Sequence, residues 1–329
     1  MKRAAITGVT GMIGSALADL LSEQGVEVIA VANPNSKRLS ESVADDDPNI
    51  TILPLSGSEY DEFAQGPVAA KLPRCDVFFH LAWDGTFGPE RADAERQAAN
   101  VEMSLAAVRL AAALGCKRFV FAGSQAEYGK LEGKFSADTP CHPITEYGKA
   151  KFEAEKKTRE LCHELGLEHI AARIGSAYGP GDNDGTVLIQ AIWHAWHEEP
   201  FACTKGEQLW DHIYCEDAAD ALRLMGEKGK ADAVYPVGTG HAEPLREHIQ
   251  MACEVCNPDF TPDFGALEYP KDQVMYLCAD ISQLTKDTGF QALVPFEQGI
   301  YRTAEWYRDM ITRVPEMPWQ KHGGLDVIA

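Results

Sequence analysis

Ala4-Ala5-Ile6-Thr7-Gly8-Val9-Thr10-Gly11-Met12-Ile13-Gly14 is a short apolar strand that meets three glycines spaced GxxGxxG and then a helical pattern. Gly8 allows a tight turn and Gly11 lets backbone approach a pyrophosphate. Gly14 lets the following helix pack close to the strand, with the amides of its N-terminus facing the anion. Turns and close helix packing use glycine in the same way, so the triplet gains its weight from its position. Residues 15–24 carry apolar side chains at helical spacing and residues 27–31 read as a second strand, which completes one βαβ unit. The expectation is a dinucleotide site on Gly8, Thr10, Gly11, Met12, Ile13 and Gly14.

Working outward, apolar strands at 4–7, 26–32, 51–55, 77–80, 119–122 and 170–174 alternate with amphipathic helices. Such alternation implies a parallel sheet covered on both faces, with ligands at the carboxyl ends of its strands. The expected fold class is α/β: a Rossmann-type doubly wound parallel sheet with a smaller C-terminal substrate-binding lobe. Pro-, Gly- and Asp-rich segments at 178–185 and 258–270 interrupt the pattern. Residues 1–175 are therefore assigned to the dinucleotide-binding domain and 176–329 mainly to the substrate lobe. Residues 207–228 are expected to return to the first domain, because 211–224 reads as strand then helix. Residues 300–312 read as a final surface helix.

The chain has 329 residues and a formal net charge of −20, which disfavours nucleic acid phosphates and anionic lipid as partners. No apolar run reaches the roughly 20 residues of a membrane span, and the opening MKRAAITG runs straight into a strand, so a cytoplasmic location is expected. Nine cysteines fit a reducing compartment. Cys253 and Cys256 form a CxxC, but no second pair completes a zinc set; His194 and His197 lie three apart without a third ligand. Packing is the expected role of all four, and no metal is expected.

Phe119-Val120-Phe121-Ala122-Gly123-Ser124 places a serine at the end of a strand, and Tyr147-Gly148-Lys149-Ala150-Lys151 places Tyr and Lys on one face at the start of a helix. A lysine beside a phenol favours the phenolate and lowers the tyrosine pKa from about 10, so Tyr147 can exchange a proton at a carbinol carbon. Ser124 can hold the carbonyl oxygen in line. YxxxK alone is common in helices; here it follows a glycine loop and a strand-end serine.

In these features the chain resembles an extended short-chain dehydrogenase/reductase of the NAD-dependent epimerase/dehydratase group that acts on nucleotide sugars. The resemblance spans roughly residues 1 to 310. It includes His80-Leu81-Ala82, Asn100, Glu127-Tyr128-Gly129, Arg173, Ala177-Tyr178-Gly179-Pro180-Gly181, residues 206–211 and Tyr214-Cys215-Glu216-Asp217. It implies Ser124, Tyr147 and Lys151 as the catalytic set, and Leu81, Ala82, Asn100, Tyr147 and Lys151 among the cofactor contacts. It also places Trp83, Ser124, Gln125, Ser176, Trp210 and Tyr269 along the substrate. Family members often dimerise through helices corresponding to residues 100–114 and 147–161, so a homodimer is expected.

Departures from the family pattern refine the reading. Where NAD-using members carry an acid at the end of the second strand, this chain has Ala32, followed by Asn33, Ser36, Lys37 and Arg38. Without a carboxylate to repel a 2′-phosphate, NADP(H) is favoured and NAD(H) stays possible. Ser56 stands where relatives often carry an Asp contacting the adenine. Sugar nucleotide 4,6-dehydratases carry an acidic pair directly after the hydroxyl residue, whereas Ser124 is followed by Gln125 and Ala126. Glu127 is expected as a strand-end residue near the cleft. Trp210 and Tyr269 occupy a position and a region where related chains carry arginines for the diphosphate, and their rings can stack on a base or sugar or simply pack.

The leading expectation is NADP(H)-dependent reduction of a keto sugar nucleotide with Tyr147 as general acid/base. An NAD-dependent nucleotide-sugar 4-epimerase is second, a carbonyl reductase of a small non-nucleotide ketone third, and a non-catalytic dinucleotide-sensing regulator fourth.

Overall fold

β1 (Arg3–Thr7) is buried from its second residue onward and stops where Gly8 turns into the left-handed region at φ 72°. In the computed structural model, which describes residues 1–39, 47–131, 133–271 and 273–313, this strand lies in the interior of a seven-stranded sheet. The other strands are β2 (Glu27–Ala32), β3 (Ile50–Pro54), β4 (Val77–His80), β5 (Arg118–Ser124), β6 (Glu168–Ile174) and the late strand Val234–Val237. The order across the sheet is Val234–Val237, β6, β5, β4, β1, β2, β3, and every pairing is parallel. The winding reverses between β1 and β4, which opens a crevice at their carboxyl ends. Central strands such as β4 and β5 are buried on both faces, which explains their unbroken apolar runs. The doubly wound α/β fold expected from the sequence is the fold observed.

One face of the sheet is covered by helices Met12–Glu23, Cys215–Lys228 and Ser282–Thr288, which bury Leu17, Leu21, Leu222, Met225 and Leu284. The other is covered by Tyr60–Gln65, Ala94–Ala113 and Glu146–Leu165. The two long helices on that face meet through small side chains, among them Ala107, Ala111, Ala150 and Ala154. The helix Cys215–Lys228 follows the strand His212–Tyr214, which pairs outside the large sheet with Ser176–Tyr178. Val234–Val237 was not foreseen in the large sheet. It contains Pro236, which lacks a ladder donor and is tolerated because this strand is at the edge.

Helices Val187–His197, Leu245–Glu254 and Phe296–Arg313 pack around Ile189, Trp193, Ile249 and Ile300 to form a separate core. His194 stacks on Phe201 and His197 on Trp193, with ring centres 4.9 and 3.7 Å apart. Cys253 is buried in the same core, against the Ala191 carbonyl, and Cys256 is half-buried; both are free thiols. Among the described residues, no helix is long and apolar enough to cross a membrane.

Candidate active site

The glycine loop is a cradle that side chains would fill. A Cβ on Gly8 would lie 2.6 Å from the Ala82 nitrogen, and one on Gly14 would collide with the Gly8 carbonyl. The Gly11 amide donates to the Gly8 carbonyl (3.0 Å), and Gly11 caps the helix Met12–Glu23 without any side-chain hydrogen bond or acidic residue in the first turn. A helix N-terminus left uncapped in this way suits an anion, so the residues present fit the pyrophosphate of a dinucleotide. The carboxyl ends of β1 and β4 are tied together at the same place. Thr7 Oγ1 lies 2.8 Å from His80 Nδ1, and His80 Nε2 lies 3.0 Å from Ser104 Oγ, which itself donates to the Asn100 carbonyl. Ser104 thus accepts from Nε2–H. Burial pushes the His80 pKa down to about 3, with Lys151 adding to the effect, so the ring is neutral.

Ser124 ends β5 and is buried; its Oγ accepts the Ala126 amide (3.2 Å), which leaves its own proton to aim at a second partner. Tyr147 sits in the first turn of Glu146–Leu165, whose start is fixed by Thr145 Oγ1 accepting the Gly148 amide (3.0 Å). Burial raises the Tyr147 pKa, while the charge of Arg91 and a hydrogen bond with Ser124 oppose the rise. Strand end and helix start therefore bring Ser124 and Tyr147 together.

Lys151 does not play the part toward Tyr147 that the helical spacing suggests. Its Nζ donates to the Ala122 carbonyl (2.8 Å), lies 3.8 Å from the centre of the Trp83 ring, and is 5.9 Å from the Tyr147 ring centre. Burial lowers its pKa to about 7, against the opposing charge of Glu127. The cation on the face of the phenol is Arg91, its guanidinium carbon 4.4 Å from the ring centre. Arg91 was missed because its loop has no periodicity or motif that points at residue 147. Trp83 meets Tyr147 edge-on at 6.0 Å, and its Nε1 donates to Gln97 Oε1 (2.9 Å).

Glu127 corrects another expectation. Its carboxyl turns away from the cleft into the interior, where Oε1 accepts the Ser124 amide (2.7 Å) and the residue is fully buried. Arg173 reaches Glu155 through two hydrogen bonds of 2.9 and 3.0 Å and passes 3.2 Å from Glu127 Oε2. Burial and the neighbouring Glu155 raise the Glu127 pKa well above the usual carboxylate range; burial also works on Glu155, but Arg173 outweighs it and keeps that carboxyl ionised. Glu127 thus braces Ser124 from behind.

The remaining candidates are spread more widely. Ser36 donates to Thr10 Oγ1 (3.2 Å), which folds the segment after β2 onto the glycine loop; Asn33 and Lys37 are exposed there, and Ala32 is buried. Arg38 reaches the backbone of Gly181, where a Cβ would strike its guanidinium. Asn100 is committed to the chain at Asp84, donating to its carbonyl and accepting its amide at 2.8 Å each. Ser56 caps a short helical turn with Glu59. Gln125 and Ser176 are half-buried. Trp210 packs against two buried apolar clusters, and the Tyr269 hydroxyl accepts the Glu207 amide (2.9 Å).

Residues 4–238 match the model of the NAD dependent epimerase/dehydratase family. A dTDP-glucose 4,6-dehydratase of Xanthomonas campestris pv. campestris is 28% identical over 204 residues, 58% of this chain and 57% of that protein, so the chain matches little more than half the length of such relatives. The dTDP-D-glucose 4,6-dehydratase of Mus musculus is 23% identical over 325 residues, 93% of this chain and 89% of that one. Among solved structures, a UDP-glucose 4-epimerase of Thermotoga maritima with UDP-glucose has a TM-score of 0.82 at 24% identity, covering 94% of this chain and 99% of that one. A dTDP-glucose 4,6-dehydratase of Streptomyces venezuelae with NAD bound also scores 0.82, at 19% identity over 94% and 98% of the two chains. The solved structures share the fold, and the family match extends through the glycine loop, Ser124, Tyr147 and Lys151: the chain belongs to the NAD-dependent epimerase/dehydratase family, enzymes of the extended short-chain dehydrogenase/reductase type.

Proposed function

We propose that the protein catalyses NADP(H)-dependent reduction of a keto sugar nucleotide. The observation that supports this most is the inward turn of Glu127: with Gln125 and Ala126 following Ser124, the carboxyl nearest the hydroxyl pair is spent on the Ser124 amide. Elimination of water needs an acid and a base at the sugar, whereas reduction needs only one proton donor. When bound, the dinucleotide supplies hydride to the carbonyl carbon. Ser124 donates a hydrogen bond to the carbonyl oxygen, and Tyr147 delivers its phenolic proton to that oxygen, so the ketone gains two hydrogens in all. Arg91 offsets the negative charge left on the phenol until solvent returns a proton.

The NADP(H) preference rests on Ala32 in place of an acid, with Ser36, Lys37 and Arg38 following it and Ser36 tied to Thr10. A second reading, NAD-dependent 4-epimerisation of a nucleotide sugar, uses the same Ser124 and Tyr147 and is equally compatible with a buried Glu127. One experiment separates these. Incubation with 4-keto-6-deoxy sugar nucleotides and NADPH, followed by mass spectrometry, is expected to show a gain of two hydrogens. Interconversion of UDP-glucose with its 4-epimer without added reductant instead establishes the epimerase, and loss of water from a hexose nucleotide refutes both.

A further inference from the structure

We propose that Arg91 is an anion receptor of the active site, gripping a carboxylate or phosphate of the substrate beside the Tyr147 ring. This rests on reading Tyr147 as the proton donor. The guanidinium stands 4.4 Å from the centre of the Tyr147 ring and is half-buried. Among the described residues its one hydrogen bond is a long contact, Nη1 to the Thr86 carbonyl at 3.4 Å. None of the described carboxylates forms an ion pair with it, although the chain carries 50 acidic residues against 30 basic ones. Arg96, Arg109, Arg118 and Arg223 each lie against a carboxylate. A guanidinium fork left open over the catalytic phenol of an acidic protein suits an anion brought in by the ligand.

The loop that carries Arg91 is built to hold it in place. Asn100 grips the backbone of Asp84, and Gln97 Nε2 donates to the carbonyls of Gly85 (2.8 Å) and Glu90 (3.1 Å). Asp93, two residues on, is occupied in capping the helix Ala94–Ala113. Gly185 of the facing segment lies so close to Phe87 that a Cβ there would reach 2.5 Å from that ring's Cζ, so the loop also borders the substrate lobe. Among the described residues, the other cation near the Tyr147 ring is Lys151. Lys151 is committed to the Ala122 carbonyl under Trp83, while Trp210 and Tyr269 bring aromatic rings and no charge.

Two sources share this chemistry: a carboxylate on the sugar and the diphosphate of the nucleotide. Calorimetric titration of the full chain with NADP+ present, using UDP-glucuronate and UDP-glucose as probes, tells them apart. Arg91→Gln is expected to weaken UDP-glucuronate roughly tenfold or more. If UDP-glucose is unaffected the carboxylate is the anion gripped; if both weaken alike it is the diphosphate. Arg91→Lys, which keeps the charge but not the fork, is expected to recover part of the loss. Unchanged affinity for both probes in Arg91→Gln overturns the proposal, as does failure of the unmodified protein to bind either. Because binding is read without turnover, absence of reductase activity would defeat the proposed reaction and leave this result standing.

Discussion

Lys151 is 4% exposed, and its ammonium is enclosed by the Trp83 and Phe121 rings at 3.8 and 5.4 Å, with the Ala122 carbonyl as its hydrogen-bond acceptor. Burial lowers its pKa from 10.5 to about 7, and Glu127 opposes the change only in part. In the unfolded chain the ordinary value returns. Between pH about 7 and about 10.5 the unfolded state therefore holds a proton that the folded state has lost, so stability from this group rises with pH across that window. Below about 7 both states are protonated and the folded chain carries the full cost of the buried ammonium. At about 1.4 kcal/mol per pH unit, the displacement bounds that cost at roughly 5 kcal/mol.

Lys151→Met keeps an unbranched chain beneath Trp83 and removes the charge. It also takes a donor from the Ala122 carbonyl, a loss of about 1 kcal/mol. The variant is accordingly expected to be more stable than its parent by about 2 to 4 kcal/mol at pH 6.5 without dinucleotide. Urea denaturation of both proteins from pH 6 to 9.5 checks this. Ionisations common to the two cancel in the difference, which should be largest at or below pH 7 and shrink by up to about 1.4 kcal/mol per unit above it. A variant less stable than its parent at pH 6.5, or a difference that does not change with pH, would refute the reasoning.

Tyr147→Phe removes the transferable proton and keeps the ring under Arg91, so turnover should fall at least roughly 100-fold while dinucleotide affinity, measured by calorimetry, stays near the parent's. Ala32→Asp places a carboxylate at the end of β2, beside the segment folded onto Thr10; the ratio of NADPH to NADH affinity should drop tenfold or more, in the order of one charge-assisted contact. A parent that already prefers NADH would contradict that reading. Gly14→Ala sets a Cβ against the Gly8 carbonyl and 3.0 Å from Val9 Cα, and should cost about 1 to 3 kcal/mol in thermal unfolding together with most dinucleotide binding. Normal binding of either dinucleotide by this variant would show that the cradle is looser than the geometry implies.

What could be read from the sequence was what neighbouring residues impose on one another. Gly8 needs φ 72°, the central strands show their burial as unbroken apolar runs, and the four-residue spacing of Tyr147 and Lys151 puts both on one helix face. These local rules yielded the doubly wound sheet and brought Ser124 and Tyr147 to one place. They failed wherever a side chain's partner comes from a distant segment. Helix geometry says which face Lys151 shares, but Trp83, from the loop after β4, decides that its ammonium lies under an indole. The same loop delivers Arg91 to Tyr147, 56 positions away in the chain, and no local pattern encodes that approach. Glu127 follows a strand end that opens toward the cleft. Its direction is set by Arg173 on β6 and Glu155 on the covering helix, because an interior guanidinium draws carboxyls inward. Val234–Val237 is short and contains Pro236, and it is its place at the edge that makes it a member of the large sheet.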